Sequence, residues 1–111
     1  MEKFRYCKIE IFAPEEFLGQ IQEALWKVDA GHIGAYDRCL SVSSVESMWR
    51  PLAGSDPFLG SEGELCRQRE MKVEVTCLAE KAAETVAAVK AAHPYEEPVI
   101  NVIPLWMTSF D

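Results

Sequence analysis

The residues whose types and spacing could carry chemistry lie in the stretch "AAHPYEEPVINVIPL", at positions 91–105. His93 is followed, after two residues, by the adjacent carboxylates Glu96 and Glu97. An imidazole beside two carboxylates suits a divalent cation or a cationic ligand better than a nucleoside triphosphate. We therefore predict His93, Glu96 and Glu97 as candidate metal ligands. The identity of the ligand stays open, with a divalent metal ion as one alternative.

The same stretch also has a purely structural interpretation, which is the stronger of the two for so short a motif. A histidine in the last helical turn interacts favourably with the negative end of the helix, and Pro94 cannot continue a helix. Tyr95 can fill a gap between the helix end and a sheet. Glu96 and Glu97 would then be solvated residues at the start of an edge strand.

Positive charge near this motif comes from Arg50, Arg67 and Arg69, in the segment "RPLAGSDPFLGSEGELCRQR". These arginines are the local cations able to bind phosphate, and with Tyr95 they form our candidate cofactor-binding set. The segment lacks the lysine and the Ser/Thr of a P-loop, so nucleotide binding is disfavoured.

No catalytic residue is assigned. Neither His32 nor His93 has a sequence neighbour that would orient it as a base, and His32 is predicted to be an exposed turn residue. The four cysteines show no C-x-x-C pair and no zinc-finger spacing, so we predict reduced, structural thiols at Cys7, Cys39, Cys66 and Cys77.

Alternating strand and helix patterns must position these residues. Residues 4–12 alternate as a half-buried strand, and the period then changes to that of a helix. Strand composition returns at 38–49, where a bulge or strong bend is expected near Ser43 and Ser44 because the apolar positions lose phase. Residues 50–69, with their glycines and prolines, predict a long loop or an irregular hairpin extension.

The second half repeats the pattern. Residues 70–80 alternate cleanly as a strand, and 81–92 are rich in strong helix formers. The last strand lies in 98–106, where Pro104 indicates an edge or a bulge. The predicted core-facing positions are Cys7, Ile9, Ile11, Phe17, Ile21, Leu25, Val28, Met71, Val73, Val75, Cys77, Ala82, Val86 and Val89.

The order strand, helix, strand, strand, helix, strand predicts an α+β fold of the ferredoxin-like βαββαβ type. In this fold two helices cover one face of an antiparallel four-stranded sheet, here as a single domain over 1–111. Phe4, Tyr6 and Phe12 would point to the other face. That face is too aromatic to be fully exposed to solvent, so we predict that it is covered in a homo-oligomer.

Composition limits the function classes. The chain has 111 residues, of which 49% are hydrophobic, and a formal charge of −7 without a concentrated basic patch, so nucleic-acid binding is disfavoured. The apolar runs are too short to span a membrane, and the charged N-terminus "MEKFRYCKIE" is unlike a signal peptide. We therefore expect a cytoplasmic protein.

The HPYEEP hexapeptide, together with "GSDPFLGSEGELCRQREMKVEV" and "AGHIGAYDRC", resembles the CutA-like or PII-like insert domain of the NGG1-interacting-factor family, which includes the YqfO-like proteins. The resemblance covers nearly the whole chain. It implies a stand-alone domain that forms trimers, with a ligand cleft between subunits lined by the 50–69 loop and the 93–97 connector. The apolar tail that begins at Trp106 would then be a trimer contact.

Full-length members of that family bind a metal pair in two further lobes, with several histidines. With two histidines in the whole chain, we expect no enzyme activity. The expected function is a non-catalytic binding or regulatory module. Two alternatives stay open: a divalent-metal-binding protein of the cation-tolerance kind, and an accessory subunit of a metallohydrolase-type partner.

Overall fold

A computed structural model describes residues 4–110, and two helices and four strands alternate along them. A single 3-10 turn precedes each helix, at Glu15–Phe17 and at Ala79–Lys81. The elements are β1 (Tyr6–Ala13), α1 (Leu18–Lys27), β2 (Ser41–Trp49), β3 (Cys66–Leu78), α2 (Ala82–Ala92) and β4 (Ile100–Leu105).

The four strands form one antiparallel sheet in the order β2-β3-β1-β4. This is the strand order of the split βαβ arrangement, and the predicted ferredoxin-like fold is confirmed. Both helices pack on the same face of the sheet, because their buried residues join one core cluster with β1 and β3. Strand β4 is an edge, as Pro104 predicted, since an edge strand tolerates the missing N–H of a proline.

The core follows the alternation of the central strands. Ile9 on β1 lies opposite Val75 on β3, and both are buried under Ile21, Leu25 and Val89 of the helices. Full burial of each such aliphatic side chain contributes about 1.5–3 kcal/mol. Of the predicted core positions, four are only partly buried: Phe17, Val28, Met71 and Val86.

The opposite face of the sheet is more polar than the sequence indicated. Tyr6 is half-buried and meets Phe110 of the C-terminal tail edge-to-face, with ring centroids 5.1 Å apart. Between Tyr6 and Phe12, the ammonium of Lys8 lies 2.7 Å from Glu74 Oε1. A second lysine, Lys72, lies 3.5 Å from Glu10 and also belongs to this charged centre. The aromatic residues therefore lie at the two ends of this face.

The expected bulge in β2 and the expected start of β3 were wrong. The pairing of β2 with β3 runs without interruption from Ser41 opposite Glu74 to Trp49 opposite Cys66, so no bulge interrupts it at Ser43 or Ser44. Strand β3 begins at Cys66 instead of residue 70, which shortens the connecting loop to 50–65. Regular pairing with β2 extends the hairpin here, although the apolar positions of β2 do not alternate regularly. A partner strand supplies hydrogen bonds to the backbone N–H and C=O groups whichever side chains the strand carries.

None of the helices between residues 4 and 110 has the length and apolar character needed to cross a membrane.

Candidate functional site

A cleft of about 590 Å³ lies where the β2–β3 hairpin extends past the end of β1. The register places Ala13, the last residue of β1, opposite Met71, so β3 residues 66–70 pair with β2 alone. The loop and the connector after α2 cover this extension. The cleft is lined by Phe12, Ser47, Met48, Trp49, Arg50, Pro51, Leu52, Ser55, Pro57, Phe58, Leu59, Glu70, Tyr95, Glu96, Glu97 and Val99.

The loop of residues 50–65 is held by hydrogen bonds to its own backbone carbonyl groups, one of them donated by the last residue of β2. The indole N–H of Trp49 donates to the carbonyl of Leu59 at 3.2 Å, and the N–H of Gly63 donates to the carbonyl of Pro51 at 2.8 Å. Gly60 has a φ of 98°, a left-handed conformation that favours glycine, and a Cβ there would lie 3.3 Å from Cys66 Cβ. The loop therefore forms a defined wall of the cleft.

His93 attaches the connector to the end of β1. Its Nδ1 accepts a hydrogen bond from the N–H of Tyr95 at 3.2 Å, so its Nε2–H donates to the carbonyl of Phe12 at 2.6 Å. Burial lowers the pKa of His93 below its usual value, against the smaller raising effects of the Phe12 carbonyl and the Glu70 carboxylate. Both ring nitrogens thus have backbone partners in the neutral form.

Tyr95 and Glu70 form a short hydrogen bond in the cleft. The hydroxyl of Tyr95 donates to Glu70 Oε2 at 2.6 Å, and Glu70 is only 3% exposed. Burial, followed by the hydrogen bond and charge of Glu70, raises the pKa of Tyr95 well above its usual value. Tyr95 is therefore a neutral donor at every physiological pH.

Aromatic rings make up much of the cleft wall. The ring centroid of Tyr95 lies 5.7 Å from that of Trp49 and 6.1 Å from that of Phe58, with tilted planes. Phe58 also meets Phe17 edge-to-face at 5.6 Å, which ties the loop to the 3-10 turn before α1. Such pairs contribute about 0.5–1.5 kcal/mol each beyond the area they bury.

The two glutamates of the HPYEEP motif lie at the exposed rim of the cleft. Glu96 Oε1 accepts a hydrogen bond from the N–H of Asp56 at 2.9 Å, which joins the connector to the loop. Glu97 is also exposed and lines the cleft without a hydrogen bond among the contacts described for residues 4–110.

The structure brings together only part of the predicted site set. Arg50 and Tyr95 line the cleft beside Glu96 and Glu97. His93 is buried and does not line the cleft. Arg67 and Arg69 are exposed on β3 outside the cleft lining, with Arg69 donating to the Ser44 hydroxyl at 3.2 Å.

The metal-site prediction stays a prediction. Residues 4–110 contain no group of three or more His, Cys, Asp or Glu side chains that could hold a metal ion. A metal at His93 would have to replace one of its two hydrogen bonds, since each ring nitrogen already has a partner.

Sequence reasoning missed Glu70, Trp49 and Phe58 as cleft residues. Glu70 directly follows three exposed charged or polar residues, at positions 67–69, and no sequence signal distinguishes it from them. Trp49 ends β2 beside the glycine-rich loop, and a tryptophan at such a junction was a signal that could have been used.

His32 lies at the other end of the molecule, as an exposed turn residue, which confirms the prediction. Its Nδ1 lies 2.9 Å from Asp29 Oδ2, and its Nε2 lies 3.1 Å from the carbonyl oxygen of Gly34. The hydrogen bond and the charge of Asp29 raise the pKa of His32 above its usual value.

The buried thiols also agree with the sequence. Cys7 and Cys77 face each other across β1 and β3 with their sulfurs 3.5 Å apart, and all four cysteines are free. Burial, and then the neighbouring Cys77, raise the pKa of Cys7 to about 12.

Comparison with known proteins finds relatives over most of the chain, although no family model matches it. A GTP cyclohydrolase 1 type 2 homolog from Halalkalibacterium halodurans is 37% identical over 98 residues, which make up 88% of this chain and 26% of that protein. The chain spans about a quarter of the length of the curated relatives it matches.

Two solved structures share the fold. A Bacillus cereus protein related to NIF3 aligns with a TM-score of 0.82 and 30% identity, over 94% of this chain and 26% of that one. The periplasmic divalent cation tolerance protein CutA from Archaeoglobus fulgidus aligns with a TM-score of 0.69 and 26% identity, over 93% of this chain and 86% of that one. The chain therefore resembles both groups of proteins. The likeness covers one segment of the first protein and most of the second, as the HPYEEP motif indicated.

Proposed function

We propose that this chain is a non-catalytic binding or regulatory module of the PII/CutA-like type, equivalent to the insert domain of the NIF3-related proteins, and that the cleft holds its ligand. The observation that carries this proposal is the cleft itself. Its volume lies in the range of small-molecule sites, its lining is mostly apolar and aromatic, and a few polar groups converge on it.

The cleft is preformed by hydrogen bonds from three directions. Trp49 holds the loop, Glu96 joins the loop to the connector, and His93 joins the connector to β1. A ligand would meet walls that are already ordered, which lowers the entropic cost of binding.

Support for a non-catalytic role comes from Ser55, which lines the cleft, and from His93, which is buried next to it. The hydroxyl of Ser55 donates to the carbonyl of Leu52 at 2.7 Å, and His93 uses both ring nitrogens on the backbone. Neither group has the nucleophile-base pairing that acyl or phosphoryl transfer by a side chain requires.

The experiment is a thermal-unfolding screen of the purified protein against neutral, anionic and cationic small molecules, metal ions with an EDTA control, ATP and GTP. Each stabilising compound is then tested on Ser47→Phe, which fills the cleft, and on Ser43→Phe as the matched control. Ser43 lies on the same face of β2, four residues before Ser47, outside the cleft lining.

We expect a compound that raises the unfolding midpoint by several degrees, which for a domain of this size corresponds to about 1 kcal/mol of linked binding. The rise should disappear in Ser47→Phe and persist in Ser43→Phe. A screen without any such compound, or a rise that survives Ser47→Phe, would contradict the proposal.

We also propose assembly as a homotrimer. The tail beyond β4 exposes Trp106 at 84% and Met107 at 74%, and adjacent apolar side chains with this exposure favour burial against another subunit. Light scattering on the same samples measures the mass, and a monomer at all concentrations would contradict this part. The cytoplasmic location stays a prediction.

A second candidate function is divalent-metal binding, favoured by the likeness to the Archaeoglobus fulgidus cation tolerance protein. It predicts a metal-dependent rise in the unfolding midpoint that His93→Ala abolishes.

A third candidate function, that of an accessory subunit, is favoured by the match to about a quarter of the length of the longer relatives. It predicts that a partner carrying the remaining lobes copurifies.

A further inference from the structure

Glu70 differs from the other carboxylates on its face of the sheet. Glu10 and Glu74 are more exposed, with 15% and 30% of their side chains accessible, yet each lies close to a lysine. Glu70 is 3% exposed, and the ion pairs found within residues 4–110 include none to it. Its hydrogen-bond partner in that part of the chain is the neutral hydroxyl of Tyr95.

A buried carboxylate with one neutral donor is incompletely compensated. Burying a charge is unfavourable unless an opposite charge and further hydrogen bonds accompany it. Because Glu70 lines the cleft, a ligand that carries positive charge could supply the missing compensation.

The aromatic walls of the cleft also favour a positively charged ligand. Trp49, Tyr95 and Phe58 form a continuous tilted group of rings, and aromatic faces attract cations, tryptophan most strongly. At the rim, Glu96 and Glu97 add negative charge against the single guanidinium of Arg50. The cleft lining therefore holds three carboxylates and one cation, inside a chain of formal charge −7.

The size and lining of the cleft favour an organic cation over a bare metal ion. Hard divalent ions require several oxygen ligands at short distance, and the part of the chain that is described contains no such group of three. A volume of about 590 Å³ with mostly apolar lining instead matches a molecule with a hydrocarbon part.

We propose that the cleft binds a small organic ammonium ion, with its cationic head near Glu70, Trp49 and Tyr95 and its apolar part along Phe58 and Leu52. This inference rests on the proposed function, since it names the ligand class of the same cleft. An anionic nucleotide would meet repulsion from Glu70, Glu96 and Glu97.

The test compares cations with neutral molecules of the same shape. Choline is titrated against 3,3-dimethylbutan-1-ol, and butylammonium against butan-1-ol, into the isotopically labelled 111-residue chain at low salt, with amide chemical shifts as the readout. We expect at least one cation to shift resonances of residues 47–59 and 95–99 saturably, with its neutral counterpart at least tenfold weaker.

The variants are Glu70→Gln and Glu46→Gln. Glutamine at 70 keeps an acceptor for the Tyr95 hydroxyl and removes the charge, whereas Glu46 is an exposed β2 residue outside the cleft lining. We expect Glu70→Gln to weaken cation binding at least tenfold and Glu46→Gln to change it by less than twofold. If Glu70→Gln does not fold, Trp49→Leu, which removes the ring beside the cationic head, takes its place with an expected loss of about threefold or more.

Equal binding of cation and neutral counterpart, or full binding by Glu70→Gln, would overturn the ammonium assignment. So would the failure of both cations to bind. The proposed function would survive these results if another class of compound bound with the Ser47→Phe sensitivity described above, and would fail with the inference if none did.

Discussion

Strand β3 passes through two different environments. Its second half, with Val73, Val75 and Cys77, pairs with β1 and lies under both helices, where aliphatic side chains fill the space. Its first half, from Cys66 to Glu70, pairs with β2 alone and is covered by a loop and a connector. Regular elements close-pack, whereas irregular segments cover the extension incompletely, and the space that remains is the cleft.

The largest expected effect tests this difference in packing. Ile9→Ala in the core half should lower the free energy of unfolding by about 2–5 kcal/mol, because it leaves a cavity among fully buried neighbours. Phe58→Ala in the cleft wall should cost less, about 1–2 kcal/mol, since Phe58 is already 48% exposed and loses two partly exposed ring contacts. Urea unfolding measures both, and similar losses would show that the cleft half is packed like the core.

The second prediction concerns the link between the two halves. His93→Ala should lower the free energy of unfolding by about 1–3 kcal/mol, because the Phe12 carbonyl and the Tyr95 N–H each lose their partner. The loss should be the same with EDTA and with zinc. A smaller loss is expected for the control His32→Ala, whose side chain is exposed, and a loss that depends on zinc would support the metal-binding alternative instead.

The pKa values of the two histidines should lie on opposite sides of the usual histidine value, that of His93 below it and that of His32 above it. Burial holds the pKa of His93 below 6.5, so the unfolded chain binds a proton there before the folded one does. Its contribution to stability is complete above 6.5 and is lost as the pH falls from 6.5 through the lowered folded pKa. NMR titration of the two ring signals measures this directly, and a His93 signal that titrates above 6.5 would contradict it.

The contribution of His32 to stability depends on pH in the opposite direction. Asp29 raises its folded pKa, so its contribution is complete below 6.5 and is lost as the pH rises through that raised value. Asp29→Asn should return the His32 titration toward 6.5 and leave the His93 titration unchanged.

The prediction with the smallest effect on stability compares one thiol from each half of β3. Cys66 is half-buried, whereas Cys77 is 6% exposed and lies 3.5 Å from Cys7, whose pKa is raised to about 12. In a short pulse of N-ethylmaleimide at pH 8, Cys66 and Cys39 should be labelled before Cys7 and Cys77. Mass spectrometry of the peptides gives the order, and early labelling of Cys77 would show that the core half opens easily.

The sequence predicted the fold more completely than the site. The alternation at Cys7, Ile9 and Ile11 identified the buried face of β1, because a period of two leaves one face for the core. The start of β3 and the regular pairing at Ser43 were mispredicted, because strand pairing depends on a partner strand and not on local composition alone.

The candidate site was predicted in part. Tyr95, Glu96 and Glu97 belong to one short motif, and its place after α2 brings them to the cleft as a group. Arg67 and Arg69 lie nearby in the sequence but outside the cleft lining, since β3 begins earlier than predicted and carries them away from it on an exposed strand.

By itself, the sequence determined the order of elements, the buried stripes of the strands and helices, and the resemblance carried by HPYEEP. These depend on local periodicity and on short motifs, which are properties of neighbouring residues. Only the tertiary structure decided that Glu70 is buried against Tyr95 and that Trp49 and Phe58 surround it. The physical reason is that these contacts join residues 25 to 46 positions apart, and their geometry depends on where β1 ends and how the loop folds back.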